Sequence, residues 1–363
     1  MKRLCNFLLT LTLIATLSYS CLYSCLAAEV IDYTDGLTEL ETGTAKDFLE
    51  NNGILTSDPE TVRNLDAGSL ISHFIDIFKA SLKAPASMLI ILAGMGFLSV
   101  IIPSGKPGVD KMTAIAAFLL IYPFISSSLE TAFLAVSSQQ AFMTAYIPIF
   151  AGITLASGNA MAAGSYNALV FYASETAGLI AGGILKPFLT CMLVLSCTQS
   201  ICPQLPDITY SLRRLFSAIL GTVMTVFVGI IGLQTAIGRT GSEIILRAGK
   251  YLVSSFVPII GMSLSESYKT VRLSISAIKS STGGLGIVIM VLIMSVPIIS
   301  LFSCRLAISA GEWLCRLTGS EPIASLARGI ANVYSLIITF LIIYAMMFII
   351  STGFIMLFGS EAV

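Results

Sequence analysis

The sequence predicts an all-α protein, a polytopic membrane helix bundle, on three observations. Of its 363 residues, 56% are hydrophobic and 11% are charged, and the mean hydropathy is +0.91. Soluble domains carry roughly 25% charged residues, so water is not the solvent for most of this chain. Several uncharged stretches reach the roughly 20 apolar residues that a helix needs to cross a bilayer. Eleven of the twenty acidic residues lie between Glu29 and Asp76, so charge is concentrated ahead of the apolar part.

Residues 1–28 have the organisation of a secretory signal peptide. Lys2 and Arg3 precede an apolar stretch that ends in small residues near Ala28, which is the order that signal peptidases require. An uncleaved first helix and a lipoprotein attached at Cys25 are the alternatives. In each case the residues that follow lie outside the cytoplasm.

Residues 29–83 form an acidic extracytoplasmic segment. Leu70, Phe74 and Ile77 are spaced as one face of a helix, which predicts an amphipathic helix on the membrane surface. A segment of this size has little core of its own. We therefore expect it to pack on the membrane domain or on a partner.

Residues 84–363 form the predicted membrane domain. The stretch 141–203 is long enough for two or three crossings, although Gly164, Glu175, Lys186 and Pro187 interrupt it. The other predicted spans are 85–103, 112–135, 215–238, 284–304 and 333–358.

Two basic clusters make the orientation of the bundle ambiguous. Arg213 and Arg214 precede a predicted span, and the basic segment 239–283 follows it. The positive-inside rule favours the cytoplasm for both clusters, and a single span cannot satisfy that. Either 251–264 is re-entrant or one basic cluster faces outward.

Three pairs of similar sequence positions, separated by nearly the same number of residues, predict an internal duplication. Two pairs of prolines are each 110 residues apart, and a short basic motif recurs at a similar spacing. The predicted repeats are about 141–240 and 251–358. The matching pairs are Pro148 with Pro258, Pro187 with Pro297, and Ser211–Arg214 with Ser325–Arg328.

Each predicted repeat contains an apolar run with a central proline. Small and polar residues follow this run. Irregular backbone at membrane depth is tolerated only when it is buried in protein or lines a wet cavity, and paired broken helices are typical of transporters. These runs therefore predict broken or re-entrant helices near the centre, and kinked helices packed in the bundle are the alternative. Their candidate functional residues are Pro148, Gly152, Pro258 and Gly261.

Glu175 and Lys186 are candidate functional residues because they carry charge within an apolar stretch. Charged groups there are costly and usually face an interior or a cavity. A functional role and a packing role both fit Glu175.

The sequence offers no catalytic, metal or cofactor motif, so we predict no enzyme activity and no cofactor. His73 is the one histidine, and the chain has no phosphate-binding loop of the G-x-x-x-x-G-K-[ST] type. No basic patch interleaved with aromatic residues indicates nucleic acid. If the protein does energised work, another chain supplies the ATPase.

Three segments carry a resemblance to a known family. They read YIPIFAGITLASGNAMAAGSYNALVFYASETAGLI at 146–180, LQTAIGRTGSEIILRAGKYLVSSFVPIIGMSLSESYKTV at 233–271 and CRLTGSEPIASLARGIANVYSLI at 315–337. Together with the signal peptide and the acidic segment, they resemble the stage III sporulation protein AE family of endospore-forming bacteria. The resemblance covers nearly the whole chain, although the signal peptide and the acidic segment match only in type.

The resemblance implies a multi-pass subunit, or the permease-like core, of the secretion-like channel complex between mother cell and forespore. It places the protein in the mother-cell membrane around the forespore, where the complex supports late forespore gene expression and development. The implied partners are a cytoplasmic ATPase, small membrane subunits and intermembrane ring-forming proteins. The family has no established catalytic residues to transfer. A stand-alone secondary transporter of a small solute is the alternative.

Overall fold

The computed structural model describes residues 67–101, 109–157, 160–201, 208–256 and 261–358, and almost all of these residues are helical. The predicted signal peptide and most of the acidic segment lie outside the described residues. Eight α-helices and one π-helical turn follow one another in this part of the chain. They are α1 (Ala67–Ala80), α2 (Lys83–Ile101), α3 (Val109–Ala156), α4 (Ala160–Leu179), the π-turn Ile180–Leu185, α5 (Lys186–Ile201), α6 (Ile208–Phe256), α7 (Gly261–Leu317) and α8 (Glu321–Phe358).

Five of the described helical stretches are long and apolar enough to cross a membrane. A sixth crossing is possible if α1 and α2, which are bent by 45° at the break between them, form one broken span. The prediction of an all-α polytopic membrane bundle is therefore confirmed. The five stretches are Lys111–Ala156, Tyr166–Ile201, Ile208–Leu233, Ala277–Leu317 and Glu321–Met356.

Helix α3 differs from the prediction, because it runs without interruption from Val109 to Ala156. The polar residues after position 136 lie within this helix, where the hydroxyl of Ser138 donates to the carbonyl oxygen of Leu134 one turn earlier. Pro148 removes one backbone donor but lies on the exposed side of the helix. At Pro148 the helix is therefore not broken. It fits the alternative prediction, a helix packed in the bundle.

The stretch 141–203, for which the sequence predicts two or three crossings, contains the end of α3 and one further candidate span, Tyr166–Ile201. Gly164, Glu175, Lys186 and Pro187 were predicted to interrupt this stretch, but all four lie within helical backbone. Pro187 is the second residue of α5, two positions after the end of the π-turn, where the wider helical ring accommodates a residue that cannot donate to the preceding turn.

Helix α8 lies at the centre of the bundle. In its most apolar stretch 67% of the residues are buried, against 17% in α6. Helix α8 contacts α7, α6, α5, α3 and α4. It is thus the packing core, while α6 turns most of its apolar surface outward.

A tight turn joins α7 to α8. Gly319 has a φ of +77°, a conformation that only glycine adopts without strain. The amide of Ser320 donates to Cys315 and that of Gly319 to Arg316, at 2.9 and 3.0 Å, which is the Schellman arrangement that satisfies the last carbonyls of a helix. The ends of α7 and α8 are therefore fixed relative to each other.

Helix α6 bears on the orientation problem. It is continuous, so Arg213 and Arg239 are about 39 Å apart along its axis at 1.5 Å per residue. This separation exceeds the roughly 30 Å of a hydrocarbon core. The two basic clusters therefore lie at opposite ends of the candidate span Ile208–Leu233, and the orientation of the bundle stays a prediction. The internal duplication stays a prediction.

Candidate functional site within the bundle

Glu175 lies in the contact between α3 and α4, where its side chain is half-buried. The Nε2 atom of Gln140 donates to Oε1 of Glu175 at 3.4 Å. Gly178 makes room for this amide, because a Cβ at that position would lie 2.5 Å from Oε1 of Gln140. The carboxylate is therefore held within the apolar bundle by a neutral partner.

Lys186 does not approach Glu175. It lies about 16 Å further along the chain at 1.5 Å per residue, and its side chain is exposed. Its Nζ atom lies 5.9 Å from the ring centre of Phe133 on α3. The two charges that the sequence singled out are thus separate, and they do not form one ion-coupling pair.

The proline and glycine candidates are only partly described. Pro148 is exposed on α3, and Gly152, one turn later, is half-buried. Gly261 is the first residue of α7, and Pro258 lies outside the described residues. Their functional role stays a prediction.

Sequence reasoning missed an aromatic seam that fills the space between α3, α4 and α8. Neighbouring rings lie 5.2 to 5.7 Å apart between their centroids, in stacked and edge-on pairs. Such pairs stabilise by about 0.5–1.5 kcal/mol beyond their burial. The four-residue spacing of aromatic residues on α3 was the available signal. The seam consists of Phe142, Tyr146, Phe150, Tyr166 and Phe348.

Buried hydroxyl groups connect this region to the rest of the bundle. Tyr146 donates to the carbonyl oxygen of Thr282 on α7 at 2.8 Å. Tyr166 shares a hydrogen bond of 3.1 Å with Thr352 on α8. Because a buried polar group without a partner is costly in lipid, these bonds fix the register of α3 and α4 against α7 and α8.

A charged cluster lies at the end of the bundle that carries the α7–α8 turn. Oε1 of Glu312 accepts from Nη2 of Arg316 at 2.6 Å and from Nε of Arg328 at 3.0 Å. Glu312 is 14% exposed. The bond to Arg328 joins α7 to α8, and this role is structural.

The side chains of the described helices act mainly through packing and hydrogen bonds. No group of three or more His, Cys, Asp or Glu side chains that could hold a metal ion occurs among these residues. The cysteines at 191, 197, 304 and 315 are free thiols. Cys315 lies where α7 meets α2 and donates to the carbonyl oxygen of Leu92 at 3.4 Å.

Comparison with known proteins gives one consistent result. The family model described as stage III sporulation protein AE matches residues 63–359, which include every described helix. The chain is 24% identical over 228 residues to the stage III sporulation protein AE of Bacillus subtilis (strain 168). That alignment covers 62% of this chain and 57% of the relative, so it spans little more than half of the relative's length. No solved structure matches the chain.

Proposed function

The chain belongs to the stage III sporulation protein AE family, and we propose that it is a non-enzymatic subunit of the membrane complex that links mother cell and forespore. The observation that supports this proposal is the extent of the family match, which runs from residue 63 to residue 359. The family model thus matches all the described helices rather than a short motif. A sporulation protein with several membrane helices is suited to hold other components in a membrane.

The proposed partners follow from the family resemblance and from what the sequence lacks. They are a cytoplasmic secretion-type ATPase, small membrane subunits and ring-forming proteins of the intermembrane space. Since the 363 residues contain no phosphate-binding loop of the G-x-x-x-x-G-K-[ST] type, a separate ATPase would supply the energy. The proposed location is the mother-cell membrane around the forespore.

If the protein contributes to a conduit, we propose that the conduit runs between chains rather than through one chain. The space between α3, α4 and α8 is filled by the aromatic seam, in which Phe142, Tyr146, Phe150 and Phe348 are at most 1% exposed. Helix α6, by contrast, presents its apolar side outward. A permease-like core in this complex would therefore need several copies or other subunits.

The alternative of a stand-alone secondary transporter loses its main support. It required two charged groups that cooperate within the bundle. Glu175 instead contacts the neutral Gln140, and Lys186 is exposed elsewhere.

The test is an affinity purification of the tagged full-length protein from sporulating cells in a mild detergent. We expect a secretion-type ATPase and ring-forming proteins to be recovered with it. Cells that carry the untagged gene, and vegetative cells that express the tagged protein, are the controls. Recovery of the protein alone, or only as a self-oligomer, would overturn the proposal and favour the transporter.

A charge-specific role of Glu175 is tested by Glu175→Gln. The amide oxygen of glutamine still accepts the bond from Gln140, so packing is retained while the charge is lost. If the charge matters, we expect the yield of heat-resistant spores to fall on the order of tenfold, with normal protein level, because intramembrane charges are retained for function. Glu130→Gln, at an exposed position of α3, is the matched control. A wild-type yield for Glu175→Gln would make Glu175 a packing residue.

A further inference from the structure

The carboxylate of Glu175 lies at an outer edge of the bundle, where α4 meets α3. Leu179, one turn after Glu175 on α4, is 72% exposed. On α3, Ser137 and Thr144 lie one turn before and one turn after Gln140, and both are exposed. Glu175 and Gln140 are themselves only half-buried. A molecule outside the bundle can therefore reach this carboxylate.

This edge lies near the middle of the uncharged part of α8. The hydroxyl groups of Ser174 and Tyr344 share a hydrogen bond of 3.3 Å, which sets the depth of α4 against α8. Along the axis of α8, Tyr344 is about 24 Å from Arg328 and about 21 Å from Phe358, at 1.5 Å per residue. All the residues between Arg328 and Phe358 are uncharged. Since a hydrocarbon core is about 30 Å thick, the neighbouring Glu175 lies far from both headgroup layers.

Gln140 satisfies this carboxylate only in part. Its Nε2 atom lies 3.4 Å from Oε1 of Glu175, which is longer than the usual N–H···O distance of about 2.7–3.2 Å. An ionised carboxylate also offers more acceptor sites than one amide fills. Within the described residues, Glu175 has no second hydrogen bond and no ion pair. Because charged groups at this depth are usually paired, a further positive partner is expected.

The surroundings indicate what kind of molecule carries that partner. Phospholipid headgroups lie too far from this depth. In hydrocarbon, a helix satisfies its own backbone groups, so a membrane helix is suited to bring a basic side chain to Glu175. Ser137 and Thr144 are small, and small residues let a second helix approach closely. Thr144 needs no partner from outside, since its hydroxyl donates to the carbonyl oxygen of Gln140 at 2.9 Å.

A second copy of this chain does not supply the basic side chain. In a symmetric assembly whose copies cross the membrane in the same direction, equal residues lie at equal depth. Lys186 follows Glu175 by about 16 Å along the axis, and Arg328 lies about 24 Å from the level of Tyr344. Neither basic residue of a second copy would therefore lie beside Glu175. The helix belongs to a different protein.

We propose that the surface formed by Ser137, Gln140, Thr144 and Glu175, the α3–α4 surface, binds a membrane helix of another protein that presents a lysine or arginine to Glu175. Gln140 holds the carboxylate in place, and the ion pair keeps both charges out of contact with lipid. The contact fixes the depth and the rotation of the bound helix. This inference rests on the proposed function, which requires other membrane subunits.

The test is photocrosslinking in sporulating cells, with p-benzoylphenylalanine in place of Thr144 in the tagged full-length protein. We expect a crosslink to a different membrane protein, through a peptide from a membrane helix that contains a lysine or arginine. Adding Glu175→Gln should lower the crosslink yield about tenfold at equal protein level, the loss typical of a hydrogen bond to a charged group. Glu175→Asp, which keeps the charge, should retain more of the crosslink. Glu130→Gln, at an exposed position of α3, is the matched control and should leave the yield unchanged.

A charge exchange then tests the ion pair itself. Glu175→Lys should abolish the crosslink, and replacing the basic residue of the partner helix with glutamate should restore part of it. Ser137 is the second position for the photoreactive residue if the chain altered at Thr144 does not fold.

Four results would overturn the proposal: no crosslink from either position, a crosslink only to a second copy, a crosslinked helix without a basic residue, or a yield that Glu175→Gln leaves unchanged. If affinity purification still recovers the ATPase and the ring-forming proteins, only the assignment of the α3–α4 surface fails. The proposed function fails separately, when that purification recovers the protein alone.

Discussion

Replacing Gly286 with valine is expected to prevent the chain from accumulating as a folded protein. Gly286 lies on α7 against the ring of Tyr146, and a Cβ at this position would overlap the Cζ and hydroxyl atoms of that ring. Tyr146 cannot move aside, because it is stacked between Phe142 and Phe150. Overpacking of a core costs about 1–3 kcal/mol. Displacing the ring would also break its hydrogen bond to Thr282, which leaves a buried hydroxyl at a further cost of about 1–3 kcal/mol.

The measurement is the amount of monodisperse protein in detergent extracts and its thermal stability. Gly229→Val is the matched control, because a Cβ at Gly229 on α6 meets no heavy atom within 4 Å. We expect this control to behave as the wild type. Tyr146→Ala in the Gly286→Val chain should restore part of the protein, since it removes the overlapping ring. If Gly286→Val and Gly229→Val accumulate equally, the contact between α3 and α7 is wrong.

The membrane helices that could be predicted from the sequence are those with a long uncharged run between charged residues. Residues 284–304 end at Arg305, and residues 333–358 follow Arg328 closely. Burial in lipid requires each such run to satisfy its backbone groups internally, so a helix is the available solution. Composition and spacing are sufficient for this part of the fold.

The continuity of α3 could not be predicted in the same way. A proline at position 148 and the polar residues near position 138 both weaken a helix locally. Whether the helix survives depends on the partners that pack against it, and these lie on α4, α7 and α8. Such partners are far away in sequence, so local reasoning predicted a break where tertiary packing maintains a helix.

The contact of Glu175 could not be predicted from the local sequence either. An acidic residue in an apolar stretch could be found by inspection, and Lys186 was the nearest opposite charge in the sequence. The residue that contacts Glu175 is Gln140, 35 positions earlier and uncharged. Only the pairing of α3 with α4 brings them together. Gly178 makes room for that contact.

Exchanging the charges of Glu312 and Arg328 is expected to show that their contact couples α7 to α8. Glu312→Arg alone would place three arginines together beside the α7–α8 turn, and Arg328→Glu alone would place two carboxylates there. Each single change should cost on the order of 2 kcal/mol, less than the roughly 3–5 kcal/mol of a fully buried pair. The reduction reflects the exposure of Arg328 and Arg316, which are 43% and 44% exposed. We expect both single variants to lower the yield of heat-resistant spores and the protein level.

The chain that carries Glu312→Arg together with Arg328→Glu retains the net charge and the opposite-sign contact. It should recover part of the protein level and spore yield, because the coupling in a double-mutant cycle is largest for residues in direct contact, while Arg316 loses its carboxylate partner. Asp76→Arg is the control for charge reversal, since Asp76 forms a pair with Lys79 in which both side chains are about 70% exposed, at 72% and 69%, and such pairs contribute little. A double exchange that performs no better than the worse single variant would show that Glu312 and Arg328 act independently. The α7–α8 turn would then depend on its backbone bonds and Gly319 alone.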